Sequence, residues 1–267
     1  MCLWYSLDNG GSLKKMTIPL QSSIIYGPVR SRRLGHSLGI NCFIPKLKIC
    51  SLDCLYCQYG YTRVSMADLE DSRNYFSVDE ILSALEESVL NQEDEINAIT
   101  LSGNGESTLH PGFPKIVEGI IRIRNAHLPG VNTVILSNST TLESAAVRSA
   151  LQHLDQRIMK LDCGTEMCFQ RFNRPVTGIS IATITEHLQL LGNVIIQTMF
   201  CGGDGGNSEP EEVETWIRRL KAIRPLNVQI YSLDRPFPSR LIESIDRVNL
   251  EKIADKVRKT GIKAEVF

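Results

Sequence analysis

Residues 37–57 read SLGINCFIPKLKICSLDCLYC, an apolar run that ends in a loop carrying Cys50, Cys54 and Cys57 in the spacing Cys-x3-Cys-x2-Cys. Three thiolates on one tight loop can hold three corners of an iron–sulfur cube, whose irons are normally met by four cysteines. The fourth iron is then open to a ligand that is not protein. Zinc takes thiolates in tetrahedral sets of four, and here it would have to recruit Asp53 or a distant histidine. A disulfide framework needs an oxidising compartment, and nothing in the sequence suggests secretion. The spacing points to iron and sulfide.

Outward from this loop, apolar strands alternate with amphipathic helices. Strands are expected over 37–44, 96–102, 133–138, 157–162, 194–200 and 228–232. Helices are expected over 77–91, 113–125, 142–153, 181–191, 210–224 and 250–260, and Ser77-Val-Asp-Glu80 is a capping box opening the first of them. Such alternation argues for a parallel sheet with right-handed crossovers. Six β/α units, rather than eight, predict an α/β fold of partial-barrel type, open on one side. The reading is of an N-terminal extension (1–23) followed by a single barrel domain (24–267) with a C-terminal helix. Chemistry in a barrel belongs at the carboxyl ends of the strands, and the cysteine loop follows the first strand.

The 267 residues suffice for one large domain, and 29 Lys plus Arg nearly balance 30 Asp plus Glu. A net charge of −1 does not announce a nucleic-acid binder, although a local basic patch would be enough for one. No apolar run reaches membrane-spanning length and no signal-peptide layout opens the chain, so it reads as a cytoplasmic protein without a membrane partner. Residues 1–15 are polar and turn-rich, and Met16 is a candidate native start. Nothing functional is built on Cys2.

Polar motifs recur just past the strands. Leu101-Ser-Gly-Asn-Gly-Glu106 places Gly103 and Gly105, which let the backbone turn closely around a ligand, beside the Glu106 carboxylate. A plain turn with a helix-capping acid is the alternative. Ser137 and Asn138 can bond ribose hydroxyls or a carboxylate, while Ser139 and Thr140 serve equally as helix caps. Lys160 and Asp162 alternate along the fourth strand, so both can point inward. Gln197 is polar in an apolar strand and should face the barrel interior. Residues 202–206 are glycine-rich without phosphate-loop spacing, which suggests a mobile lid. Arg30, Arg32 and Arg33, with Arg174, can meet an anionic substrate such as RNA, or make salt bridges at a barrel seam. Cys163, Cys168 and Cys201 read as packing residues or free thiols rather than a second cluster.

The cysteine spacing, with Tyr56 before the last thiol, resembles the signature of the radical S-adenosylmethionine (radical SAM) superfamily. That resemblance implies a (β/α)6 partial barrel, a 4Fe–4S cluster, and SAM chelated to the open iron and cleaved to a 5′-deoxyadenosyl radical. It further implies that Gly103, Asn104, Gly105 and Glu106 bind the SAM ammonium, as the superfamily's Gly-Gly-Glu motif does. Ser137 and Asn138 stand where related enzymes carry a Thr-Asn-Gly turn. Asp162 would help bind a cation beside SAM, with Lys160 and Gln197 near it, and Tyr231 and Ser232 would meet the adenine. A single-electron donor such as a flavodoxin or ferredoxin is implied as partner. The run from Tyr26 onward is similar to the wyosine-base-forming group, whose extra upstream cysteine trio is missing here: only Cys2 and Cys42 precede the loop. The expected function is radical chemistry on RNA or a small anionic molecule. An activase for a partner's glycyl radical, and an iron–sulfur electron carrier, are the alternatives.

Overall fold

The six expected strands assemble, in chain order, into one parallel array. The computed structural model describes residues 5–7, 13–15, 17–61 and 66–267; Cys2 and Met16 lie outside them. The chain begins with an antiparallel pair, β1 (Tyr5–Leu7) and β2 (Leu13–Lys15), and an antiparallel hairpin, β3 (Ile25–Ser31) and β4 (Gly35–Ile40). Then follow α1 (Met66–Glu70), α2 (Val78–Leu90), β5 (Ala98–Leu101), α3 (Phe113–His127), β6 (Asn132–Ser137), α4 (Ala145–Gln152) and β7 (Gln156–Lys160). The second half holds α5 (Glu166–Phe172), α6 (Ile181–Leu191), β8 (Ile195–Met199), β9 (Cys201–Gly202), α7 (Pro210–Ile223), β10 (Asn227–Tyr231), β11 (Glu243–Ser244), α8 (Arg247–Arg258) and β12 (Ala264–Val266). The main sheet runs β12-β10-β8-β7-β6-β5-β4-β3, and all its pairs from β4 to β12 are parallel.

Alternation along the strands sorts side chains onto two faces. Leu38, Ile40, Ile99, Leu101, Ile135, Met159, Ile196, Val228 and Ile230 enter the large core shared with the helices. Each such buried aliphatic side chain is worth about 1.5–3 kcal/mol. On the other face Ala98, Val134 and Ile158 form a small cluster, with Leu34, Leu136 and Ile195 packed on it. Two residues further along β5, β7 and β8 this inner face turns polar, at Thr100, Lys160 and Gln197, and Gln229 of β10 stands level with Gln197. The barrel is apolar at its amino end and polar at its carboxyl end.

Helix starts follow local chemistry. Glu80 N donates to Ser77 Oγ (3.2 Å) and Ser77 N to Glu80 Oε2 (2.7 Å), closing the expected capping box. Ser144, Thr165, Ser180 and Asp246 cap α4, α5, α6 and α8, each contributing about 1 kcal/mol. The helix expected from 142 therefore starts at Ala145.

The structure adds what the sequence hid. β3 contains Gly27-Pro28, a pair that reads as a turn; proline is tolerated because β3 is an edge strand with a register shift between Tyr26 and Val29. The strand expected over 37–44 leaves the sheet at Asn41, whose Nδ2 donates to Phe43 O (2.8 Å). The hairpin tip then reaches across to the far edge. Arg32 pairs with Asp234 (3.0 Å), and the Arg33 guanidinium lies over the rings of Tyr231 (5.3 Å) and Phe267 (5.7 Å).

Candidate active site at the carboxyl ends of the strands

The cysteine loop is held on three sides. Ile49 N donates to Asn104 O (2.9 Å) and Glu106 N to Ile49 O (2.8 Å), a parallel bridge to the turn after β5. Asp53 N donates to Asn173 O (3.0 Å), Leu55 N to Phe172 O (3.0 Å) and Val176 N to Ser51 O (3.0 Å). From within, Lys48 Nζ donates to Asp53 Oδ1 (3.0 Å) and Gly60 O (3.1 Å), with its side chain only 2% exposed.

Cys54 is buried, and Cys50 and Cys57 are half-buried. Burial pushes the Cys50 thiol up to about 12 and the Cys54 thiol up to about 11. Asn138 Nδ2 donates to Cys50 Sγ (3.4 Å) and Asn173 Nδ2 to Cys54 Sγ (3.3 Å). Burial works against the charge on Lys48, but the thiols of Cys57 and Cys50, and then Asp53, outweigh it and raise its pKa. Three soft donors met by amide donors and a buried cation fit a negatively charged iron–sulfur cluster. Asp53, which a tetrahedral zinc would have to recruit, is taken by Lys48. The residues fit the cluster.

Beside the loop, Glu106 is buried and accepts from Thr108 N (3.2 Å), Thr108 Oγ1 (2.7 Å), Ser137 Oγ (3.0 Å) and Asn138 N (2.5 Å). Burial raises its carboxyl pKa, and these donors pull it back only in part. Gly105 sits at φ 150°, where a Cβ would stand 1.6 Å from Ile49 O. Asn104 turns elsewhere: its amide pairs with the backbone of Gln21 (2.7 and 2.8 Å), so it fastens the segment before β3.

Past β7 lies a second network. Asp162, buried, accepts from Met199 N (3.0 Å), from Asn173 Nδ2 (2.8 Å) and from the Tyr56 hydroxyl. Burial, and then the Asp162 charge, hold the Tyr56 phenol well above its usual pKa. Lys160 Nζ lies 3.5 Å from Asp162 Oδ1 and donates to the Tyr231 hydroxyl (2.9 Å), which in turn donates to Gln197 Oε1 (3.1 Å). Burial opposes the Lys160 charge, but Asp162 and Tyr231 raise its pKa overall. Tyr231 is thus flanked by two cations, Lys160 and Arg33, each 5.3 Å from its ring centre. Ser232 instead donates to Phe200 O (2.8 Å) and accepts from Ile245 N (2.8 Å), a bracing role.

Arg30 is exposed on β3, opposite His36, and Arg174 lies exposed over the Tyr61 ring (5.2 Å). The 202–206 segment is not a free lid. Gly205 and Gly206 are buried, Gly205 N donates to Leu241 O (2.8 Å), Arg171 donates to Gly206 O (2.6 Å), and β9 pairs with β11. At Gly203 and Gly205 a side chain would strike Leu241, and at Gly206 the backbone of 201–202, whereas at Gly202 it would meet nothing.

Cys163, Cys168 and Cys201 are buried. Donor atoms of Cys163, Cys168 and Glu212 lie within 4.8 Å of one another. The Glu212 carboxylate is occupied by Gly164 N, Thr165 N (3.1 Å) and Thr165 Oγ1 (2.7 Å), which explains the trio as packing around a capped turn. Cys42, the upstream cysteine among the described residues, is fully buried in the core. Sequence reasoning missed Lys48 and Asn173. A lysine inside Leu47-Lys48-Ile49 was a usable signal; Asn173, 119 residues from Cys54, gave none.

Residues 44–217 match the profile of the Radical SAM superfamily. A UPF0026 protein of Synechocystis is 35% identical over 220 residues, covering 80% of this chain and 77% of that one. Among solved structures, Streptococcus suis SuiB bound to S-adenosylmethionine superposes with a TM-score of 0.61 at 10% identity, over 83% of this chain and 48% of SuiB. TYW1 with a lysine–pyruvate adduct superposes at 0.60 and 13%, over 84% of this chain and 73% of TYW1. At such identities the likeness is one of fold. No helix among the described residues is long and apolar enough to cross a membrane.

Proposed function

Because the chain belongs to the radical SAM superfamily, whose enzymes use a 4Fe–4S cluster and SAM, we propose that Cys50, Cys54 and Cys57 ligate that cluster and that the enzyme acts on an anionic substrate. When bound, the cluster and SAM supply hydrogen abstraction by a 5′-deoxyadenosyl radical, with the electron coming from a donor such as a flavodoxin or ferredoxin. The observation that carries the reading is the bridge through Ile49, which sets the thiol loop directly against the Glu106 turn. Glu106 and the backbone of Gly103 and Gly105 orient the SAM ammonium. Asn138 stands between that acid and Cys50. Lys160 and Asp162 border the ligand, and the stretch around Tyr231 and Ser232 at the end of β10 meets the adenine. The cations on both sides of Tyr231, with Arg30 and Arg174 exposed on the surface, support a negatively charged substrate, RNA or small. The barrel domain over 24–267 carries all of these residues.

The test is an oxygen-free preparation, reconstituted with iron and sulfide, reduced with dithionite and given SAM. We expect 5′-deoxyadenosine and methionine to form in step. Their absence from a protein holding its full cluster overturns the reading. Adding RNA or pools of small anions and following mass changes then separates the substrate classes.

Glu106→Gln removes the charge while keeping the size. SAM affinity should fall about ten- to hundredfold, the worth of a charged hydrogen bond. Stability should also fall, by about 1–3 kcal/mol, because an amide N–H2 cannot accept all the bonds the carboxylate holds. Calorimetric affinity equal to wild type, with the cluster intact, removes Glu106 from the SAM site and leaves it a structural acid.

A further inference from the structure

We propose that Asn138 and Asn173 set the reduction potential of the cluster by donating hydrogen bonds to two of its ligand sulfurs, Cys50 and Cys54. The proposal rests on the reading that the cysteine loop holds that cluster.

Amide orientation decides whether an asparagine offers N–H or oxygen, and here the surroundings fix both. Asn138 Oδ1 accepts from Thr140 N (3.0 Å), a backbone group that can only donate, so Nδ2 faces Cys50 Sγ (3.4 Å) and Ser51 Oγ (3.0 Å). Asn173 Nδ2 lies 2.8 Å from the Asp162 carboxylate and 3.3 Å from Cys54 Sγ, and its Oδ1 accepts from the Cys163 thiol (3.4 Å). Turning the amide over would set oxygen against a carboxylate. Both side chains are buried, at 8% and 2% exposure, so neither bond is shared with bulk water. Lys48 adds its charge beside Cys57 and Cys50. Cys50 and Cys54 thus each have a buried amide donor.

Hydrogen bonds to sulfur stabilise the reduced, more negative cluster over the oxidised one, and so raise its potential. Asn138 follows β6 and Asn173 caps the C-terminus of α5, and they meet different sulfurs, so their effects should add. Asn173 carries a second load, because the same amide group holds Asp162.

The experiment is a potentiometric titration of the reconstituted cluster without SAM, followed by electron paramagnetic resonance. Asn138→Ala and Asn173→Ala should each shift the reduced-to-oxidised ratio about tenfold toward oxidised, which for one electron is about 59 mV more negative. The double variant should move about twice as far. An unmoved potential in Asn138→Ala, with full iron and sulfide, overturns the proposal, and that variant decides alone if Asn173→Ala fails to take up the cluster. In wild-type protein labelled with 15N-asparagine, the reduced cluster should show nitrogen hyperfine coupling; its absence also overturns the proposal. A wild-type chain that binds no cluster would instead defeat the ligand reading, so the two failures are distinguishable.

Discussion

Cys54→Ala, prepared without oxygen, should lose the full cluster and with it all detectable SAM cleavage. The thiol is buried between the loop and the 172–176 segment, and the Asn173 amide that faces it offers N–H rather than a lone pair to iron. With two thiolates left, a four-iron cube would have two open corners in a site shaped for one. Iron and sulfide analysis of the variant is the check. Cys168→Ala is the matched control, since Cys168 is equally buried but turned toward Cys163, at 3.1 Å between sulfurs. It should keep its iron. A full cluster in Cys54→Ala, or loss in both variants, would defeat the assignment of the three thiols.

Gly105→Ala should be the most destabilising such change among the described glycines, costing about 3–5 kcal/mol. At φ 150° the residue already lies where side chains are strained, and its Cβ would stand 1.6 Å from Ile49 O and 2.4 Å from Ile49 C. Backbone faces backbone, so no rotamer can relieve the contact. Relief would require parting the cysteine loop from the Glu106 turn, and both halves of the site would drift. At about 2–4 °C per kcal/mol, the melting temperature should fall by roughly 6–20 °C. Gly178→Ala separates collision from strain, because Gly178 also has positive φ (92°) but nothing within 4 Å of an added Cβ. Its loss should stay near 1 kcal/mol. Equal losses in the two variants would show that the Ile49 contact does not matter.

The barrel was legible because its strands carry apolar residues at a period the eye can follow, and six of them come in order. β3 escaped because Gly27-Pro28 looks like a break, and only an edge strand tolerates it. α5 escaped because seven residues give no helical period. In the site, local motifs could be read: the thiol spacing, the glycines before Glu106, and the alternation of Lys160 with Asp162. What could not be read were partners chosen by folding. Asn104 looked like a ligand contact but is spent on Gln21, and Ser232 on Phe200 and Ile245. Arg33 sat among three similar arginines, yet it alone turns onto Tyr231. Gly203, Gly205 and Gly206 signal close packing, where composition suggested mobility. Residue type announces chemistry; burial decides which groups remain free to perform it.

The clasp on the cysteine loop also has a history within each molecule. Cys54 and its amide partner are 119 positions apart, and at roughly 5–20 residues per second the ribosome needs about 6–24 s to make the second after the first. Throughout that interval the thiols have no wall behind them and Asp53 and Leu55 lack their backbone acceptors. If these thiols hold the cluster as proposed, the loop's frame is complete only once 172–176 has emerged, and iron loading is expected after that point rather than on the nascent loop.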